Sequence, residues 1–172
     1  MLKSRSRIIA VVAALGAAIA AAPALAQDIL GPEAAACRAG DGPAALVRVH
    51  GFKDRAGKLR VQLYGGDPEA FLEKGQKLKR IEVPVTPAGD MHVCVKLPAS
   101  GRYALAILHD RNANGKMNPT NDGVGFSRNP KLGLSKPDFE KVVFAANGSV
   151  QAHDVVLNYM RGLSVRPIAA RS

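Results

Sequence analysis

Between residues 44 and 160 the chain repeats one pattern. Apolar and polar residues alternate over about six positions and then give way to Gly, Pro, Asn or Asp. A side-chain period of two marks strands with one buried face and argues against long amphipathic helices. Met91–Leu97 is the clearest case: Met91, Val93, Val95 and Leu97 fall on one face, His92, Cys94 and Lys96 on the other. Leu46–Phe52, Lys58–Tyr64, Lys79–Val85, Tyr103–His109, Phe139–Ala145 and Val150–Tyr159 follow the same rule. Tyr103–His109 is the most apolar and is expected to be central. Thr86-Pro87-Ala88-Gly89 and Asn147-Gly148 read as hairpin turns joining the strands on either side. The single helix signal is Asp67 as N-cap, Pro68 at the first helical position, Lys74 in the last turn and Gly75 just beyond. Seven strands in about 115 residues with one short helix predict an all-β domain, an antiparallel β-sandwich, with a small barrel as the competing architecture.

The first 26 residues obey a different rule. Lys3, Arg5 and Arg7 precede the uncharged apolar run Ile8–Ala20, Pro23 breaks it, and Ala24-Leu25-Ala26 offers the small residues a signal peptidase needs. Residues 1–26 are therefore expected to be a cleaved signal peptide, with the mature chain starting at Gln27 in the periplasm or outside the cell. A retained anchor is disfavoured, because the run is Ala-rich and shorter than the ~20 strongly apolar residues of a stable span. Lipidation at Cys37 is disfavoured because Gln27, Asp28, Pro32 and Glu33 separate it from the apolar run. After processing no span remains. The expected organisation is an N-terminal tail over 27–43, the sandwich over 44–160 and a basic C-terminal tail over 161–172.

Export brings an oxidising compartment, and both cysteines of the chain lie in its mature part. Cys94 sits on the polar face of its strand, where an unpaired thiol is a liability. Cys37 precedes the first strand and can cross that face. A staple is one reading of the pair and two free thiols the other; no Cys-x-x-Cys redox motif is present.

Candidate chemistry concentrates in the connection Asp110–Asp138, long for a compact β domain. Asp110, Asn112 and Asn114 alternate and Gly115 follows, as in the first half of a calcium loop. Lys116 would supply a carbonyl at the seventh position, and Asn118 stands at the ninth. The twelfth is Asn121 instead of a bidentate Glu, and Asp122 comes one residue late. A metal-free network of Asx-turns built from the same side chains is the preferred reading, so no cofactor is expected and Ca²⁺ is the alternative.

The same segment carries a resemblance. Gly101-Arg102-Tyr103-Ala104 leads into His109-Asp110-Arg111-Asn112-Ala113-Asn114-Gly115-Lys116. Gly123-Val124-Gly125-Phe126-Ser127-Arg128-Asn129-Pro130 and Lys136-Pro137-Asp138-Phe139 follow. Together these resemble the exported bacterial family of domain of unknown function 2141, from about Leu46 to Tyr159. The resemblance implies a periplasmic or secreted β-sandwich without an assigned activity. Family members commonly carry Asp where this chain has Asn118, which lowers any metal affinity inferred by analogy. The Gly-x-Tyr strand entering an Asp/Asn-Gly loop is also similar to transthyretin-like and carboxypeptidase-regulatory modules. With that likeness the fold expectation becomes a seven-stranded Ig-like or transthyretin-like β-sandwich, with no function attached.

His109 and Ser127 are the weak catalytic candidates. No Ser sits in a nucleophile elbow and no His pair has zinc spacing. On strand alternation His109 shares the face of Tyr103, Leu105 and Ile107, and is expected to cap the core and hold the loop. Gly115, Gly125 and Phe126 are its companion anchors. Three of the 24 Lys and Arg and none of the 14 Asp and Glu lie in the first 26 residues, leaving a body of net charge +7. Lys74, Lys77, Lys79 and Arg80 cluster within it; a solvated basic surface without a partner is the first reading, and an anionic envelope surface, a glycan or another periplasmic protein is the partner such a surface would suit. Nucleic acid is not expected, since the few aromatics form no stacking row. The expected function is an exported binding or structural module, with a periplasmic hydrolase-like enzyme using His109 and the 110–138 loop as the alternative.

Overall fold

Alternation places the inner faces of the strands, and the computed structural model, which describes residues 28–168, shows how two sheets share them. The segment expected to be a signal peptide and the cleavage expected before Gln27 lie outside the described residues, as do the last four positions. The described elements are β1 (Ile29–Leu30), α1 (Ala34–Ala39), β2 (Ala44–His50), β3 (Lys58–Tyr64), β4 (Lys79–Pro84), β5 (Met91–Lys96), β6 (Gly101–Asp110), β7 (Gly123–Phe126), β8 (Phe144–Ala146), β9 (Val150–Val156), β10 (Asn158–Arg161) and β11 (Ser164–Pro167). A single 3-10 turn spans Phe139–Lys141.

One sheet has the order β1-β5-β2-β9 and mixes directions: β2 runs antiparallel to β5, while β9 lies parallel to β2 and β1 parallel to β5. The other is seven-stranded and antiparallel in every pair, β11-β10-β7-β6-β3-β4 with β8 also on β6. Val47, Val49, Met91, Val93 and Val95 of the first sheet meet Leu59, Val61, Leu63, Leu105 and Ile107 of the second in one buried core. The arrangement is mostly β with one short α-helix, two sheets facing across a core, consistent with a β-sandwich. β6 is central, paired with β3, β7 and β8, as its apolar sequence requires.

Both expected hairpins are corrected. β4 pairs with β3 and β5 with β2, so the 86–89 turn crosses from one sheet to the other. β8 pairs with β6 and β9 with β2, so Asn147-Gly148 also crosses. Its Asn147 carboxamide turns back to accept from Ser149 N–H at 3.3 Å, an Asx-turn in place of a two-residue hairpin loop. A crossing and a hairpin put the same residues inward, so alternation does not separate them. The expected strand 139–145 is a 3-10 turn followed by a three-residue strand.

The helix expected after Asp67 is absent. Asp67 does accept from Glu69 N–H at 2.9 Å, but the next bonds close over three residues, and Leu72 stands at φ 65°. Pulling Phe71 fully into a second aromatic cluster bends the segment into successive turns, a tertiary demand that outweighs good caps. The α-helix lies instead in the segment read as an N-terminal tail. α1 rests on the outer face of β5, pinned by the Cys37–Cys94 disulfide with 5.9 Å between Cα atoms. Glu33 accepts from Lys96 N–H at 2.6 Å and from Lys79 Nζ at 2.5 Å beside it. Cys94 is on the outward face, as alternation requires, and α1 covers it completely. The basic tail also starts in the sheet, since Ser164–Pro167 pairs with β10. Among the described residues no helix is long and apolar enough to cross a membrane.

Candidate functional site

β6 ends at His109 and Asp110, and both side chains are buried. Leu59, opposite His109, and Lys58, opposite Asp110, open β3, so the turn that precedes β3 comes within reach. Gly57 fits there because a Cβ would stand 2.0 Å from the Asp110 carbonyl oxygen, at a φ of +76° that favours glycine. His109 Nε2 lies 2.8 Å from the Ala56 carbonyl and Nδ1 lies 2.7 Å from the Tyr159 hydroxyl. A carbonyl only accepts, so Nε2 carries the proton. Tyr159 then donates to Nδ1 while accepting from Lys53 N–H at 3.1 Å. Burial holds His109 below the usual histidine range and pushes Tyr159 up to about 12. The Phe52 ring stands edge-on to the imidazole at 5.2 Å, with the Arg55 guanidinium 4.7 Å above Phe52. His109 therefore holds the 53–57 turn and β10, not the 110–138 loop.

The residue that joins this turn to the loop is Arg111. Its guanidinium takes Asp54 through Nε at 2.8 Å and through a second, shorter bond, while Nη1 donates to the Asn121 carbonyl at 2.9 Å and carboxamide oxygen at 2.7 Å. The Arg111 bond is the main reason the Asp54 carboxyl sits below the usual carboxylate range.

Within the loop the side chains of Asp110, Asn112, Asn114, Asn118 and Asp122 each hold backbone amides, while Lys116 enters this network through its own N–H. Asp110 accepts from Gly115 N–H at 2.8 Å and from Asn114 N–H at 3.2 Å. Asp122 accepts from Asn118 N–H at 2.8 Å and from Arg111 N–H at 3.1 Å. Asn112 accepts from Asn114 N–H, Asn114 from Lys116 N–H, and Asn118 from Thr120 N–H, three successive Asx-turns. Arg60 Nη2 stands 3.6 Å from Asp110. Among the described residues no three His, Cys, Asp or Glu side chains converge as a metal cluster.

Ser127 is fully buried and linked to β6 and to the 3-10 region. Its hydroxyl accepts from Leu105 N–H at 3.0 Å and donates to the Val142 carbonyl at 2.5 Å. None of its bonds touches His109. Gly125 lies where β7 crosses β9, with Val155 Cγ1 2.6 Å from a Cβ position, and Phe126 joins the aromatic cluster around Phe71. Asn129 then reaches β9, donating to the Asp154 carbonyl at 2.8 Å and accepting from Val156 N–H at 2.8 Å, so its carboxamide covers part of an edge strand.

A second polar group lies on the outer face of the four-stranded sheet. His50 spans Asp90 at 2.8 Å and Asp154 at 3.1 Å, and Arg48 meets Asp154 at 2.7 Å. The outward alternation of Arg48, His50, His92 and Asp154 was readable; their convergence depended on β9 lying beside β2. Arg111, Asp54 and Tyr159 were not singled out from sequence. Their signal was a charge or hydroxyl next to a loop or strand end, too common to read.

Two sheets sharing a core, a stapled N-terminal helix and a hydrogen-bonded Asx loop define a small, mostly β domain consistent with a sandwich. The chain belongs to the family described as an uncharacterized protein conserved in bacteria (DUF2141), whose family model matches residues 47–153. That span holds the loop, His109 and Cys94, while Cys37 and Tyr159 lie outside it. No curated protein and no solved structure matches the chain.

Proposed function

We propose that the chain is an exported binding or structural module of the bacterial envelope, released by cleavage before Gln27 and built as a sandwich of the Ig-like or transthyretin-like type. One observation carries the non-enzymatic reading: His109 and Ser127 are fully buried, with both imidazole nitrogens and the hydroxyl committed to protein partners. A general base must reach the proton it removes, and this imidazole faces a carbonyl and a tyrosine instead. The Cys37–Cys94 pairing supports an oxidising compartment. The basic surface supports an anionic envelope component, a glycan or another exported protein as partner, in preference to nucleic acid.

The test is intact-mass measurement on protein recovered from the bacterial envelope fraction. The expected mass is that of a chain beginning at Gln27 and lighter by two hydrogens than its reduced form. An unprocessed or lipid-modified chain, or free-thiol labelling of the native protein, overturns the export reading.

A further inference from the structure

The outer face of the seven-stranded sheet is covered unevenly: Arg60 and Leu108 on it are buried, Val124 and Asn158 half-buried. Near Ala104 and Ala106 a second apolar cluster lies on it, with Phe71 and Phe139 packed toward Tyr64 and Phe126. Beyond that cover the cross-strand row Arg60–Leu108–Val124–Asn158 runs over β3, β6, β7 and β10. Two cavities of about 220 and 360 Å³ lie along the row. Both are lined by Leu72, Met117 and Val124, so they form the two ends of one groove, of a size that suits a small molecule.

The ends differ in chemistry. Leu132, Leu134, Met160 and Val165 wall the first. Arg60, Lys74, Lys77 and Arg80 line the second, with Glu73 its one acidic residue. Glu73 already faces Lys136 at 3.3 Å, and Arg60 already holds Glu82 at 2.7 Å. Among the described residues Lys74 and Lys77 have no carboxylate partner, so positive charge is left over at that end. Leu134 at the other end is 71% exposed, and Met117, which lines both ends, is 57% exposed, large apolar side chains standing in water along the groove.

We propose that this groove binds a single-chain amphiphile with an anionic headgroup. The chain lies over Val124 and Leu72 toward Met160 and Val165, and the head meets Lys74 and Lys77. This rests on the binding-module reading and names its ligand class. A cationic head is repelled by the lysines, and a glycan meets Asp122, Lys136 and Asn158 on the apolar half already bonded to the protein. Met117 and Met160 suit a flexible chain, because unbranched thioethers repack at low cost.

The experiment is titration of the full mature chain with dodecanoate below its micellar concentration, read by calorimetry and by melting temperature. Dodecyltrimethylammonium and phosphatidylglycerol vesicles run in parallel. Saturable dodecanoate binding is expected, with a melting rise of about 5–10 °C at a hundredfold excess over Kd. The paired variant Met117→Asp, Leu134→Asp is expected to weaken it at least tenfold, and Lys74→Glu, Lys77→Glu to weaken dodecanoate while sparing dodecanol. All four positions are at the surface of the groove, so unliganded melting should be unchanged. Equal affinity for the cationic amphiphile overturns the inference, as does binding to vesicles without binding to free dodecanoate. Absence of dodecanoate binding by a chain that starts at Gln27 with its disulfide intact overturns this inference alone. Turnover of p-nitrophenyl dodecanoate by the same chain overturns the module reading instead.

Discussion

The Tyr159 hydroxyl lies 2.7 Å from His109 Nδ1 and completes the bonding of a wholly buried imidazole whose tautomer the Ala56 carbonyl sets at Nε2. With Nε2–H given to the Ala56 carbonyl, Nδ1 must accept. A second ring proton would face a hydroxyl already accepting from Lys53 N–H, and the tyrosine proton would lose its acceptor.

Stability should therefore fall as pH drops below neutrality. Burial lowers the His109 pKa below its unfolded value of 6.5, and burial also lowers His153 and His92. The unfolded chain takes up protons first, so stability is full above pH 6.5 and declines as pH falls from there through the folded value. One such group contributes at most about 1.4 kcal/mol per pH unit. Urea denaturation at pH 7.5 and 5.0 should show a smaller loss in His109→Gln than in the native chain. An identical loss in both assigns the slope to other groups.

Tyr159→Phe removes the acceptor for Lys53 N–H and the donor to Nδ1 at once. It should cost about 1–3 kcal/mol, the penalty for buried groups left without partners. Gly123→Ala attacks the same contact sterically, since a Cβ would fall 2.4 Å from the Tyr159 ring. Because both changes act on one interaction, the double variant should be less destabilised than the sum of the singles. Full additivity would show that Gly123 serves something else.

Arg111→Lys should destabilise the chain by about 1–3 kcal/mol while keeping the charge, since an ammonium cannot span Asp54 and Asn121 together. If lysine is tolerated without loss in thermal unfolding, the planar fork is not what ties the 53–57 turn to the loop.

The disulfide closes 57 residues of sequence separation, and chain-entropy reasoning gives about 4 kcal/mol for a loop of that length. Cys37→Ala with Cys94→Ala should lower stability by that order and loosen α1 first, because the helix has only six residues. Hydrogen exchange at 34–39 should rise more than at 103–109. Equal protection in both segments would show that Glu33 and packing hold the helix without the bridge.

How far the fold can be read from sequence follows from which forces leave local marks. Burial of one strand face imprints alternation directly, which is why Met91, Val93, Val95 and Leu97 were placed in the core and Cys94 outside it. Sheet membership leaves no such mark: 79–85 with 90–97 has the same inward residues as a hairpin or as a crossing. Caps predicted a helix at Asp67, and burial of Phe71 in the aromatic cluster overrode them. α1 was missed because a six-residue Ala-rich helix needs the bridge and the sheet beneath it. In the site, the Asx spacing of 110–122 was legible because its bonds, apart from the eleven-residue link from Arg111 to Asp122, span two to five residues, whereas the His109–Tyr159 and Arg111–Asp54 bonds span 50 and 57.

Those short-range bonds supply the last expectation, which separates the two physical accounts of the loop. Asp110 is 1% exposed and its carboxylate holds the amides of Asn114 and Gly115; Asp122 is 3% exposed and holds those of Asn118 and Arg111. With both carboxylates serving N–H donors and Arg60 Nη2 3.6 Å from Asp110, a cation must compete with groups already in place. Two carboxylates without a bidentate Glu give at best about millimolar calcium affinity. Tens of millimolar calcium should then move the melting temperature little, whereas a hundredfold excess over a true Kd would stabilise by about 2.7 kcal/mol. Asp110→Ala should cost about 1–3 kcal/mol in either case, because the Gly115 amide loses its acceptor and the buried Arg60 guanidinium loses the carboxylate beside it. Asp110→Asn should cost less, since its carboxamide keeps one accepting oxygen. A rise above about 5 °C at micromolar calcium would establish a cation site and displace the hydrogen-bond account. Unchanged stability in Asp110→Ala would remove both accounts and leave these residues free for a partner.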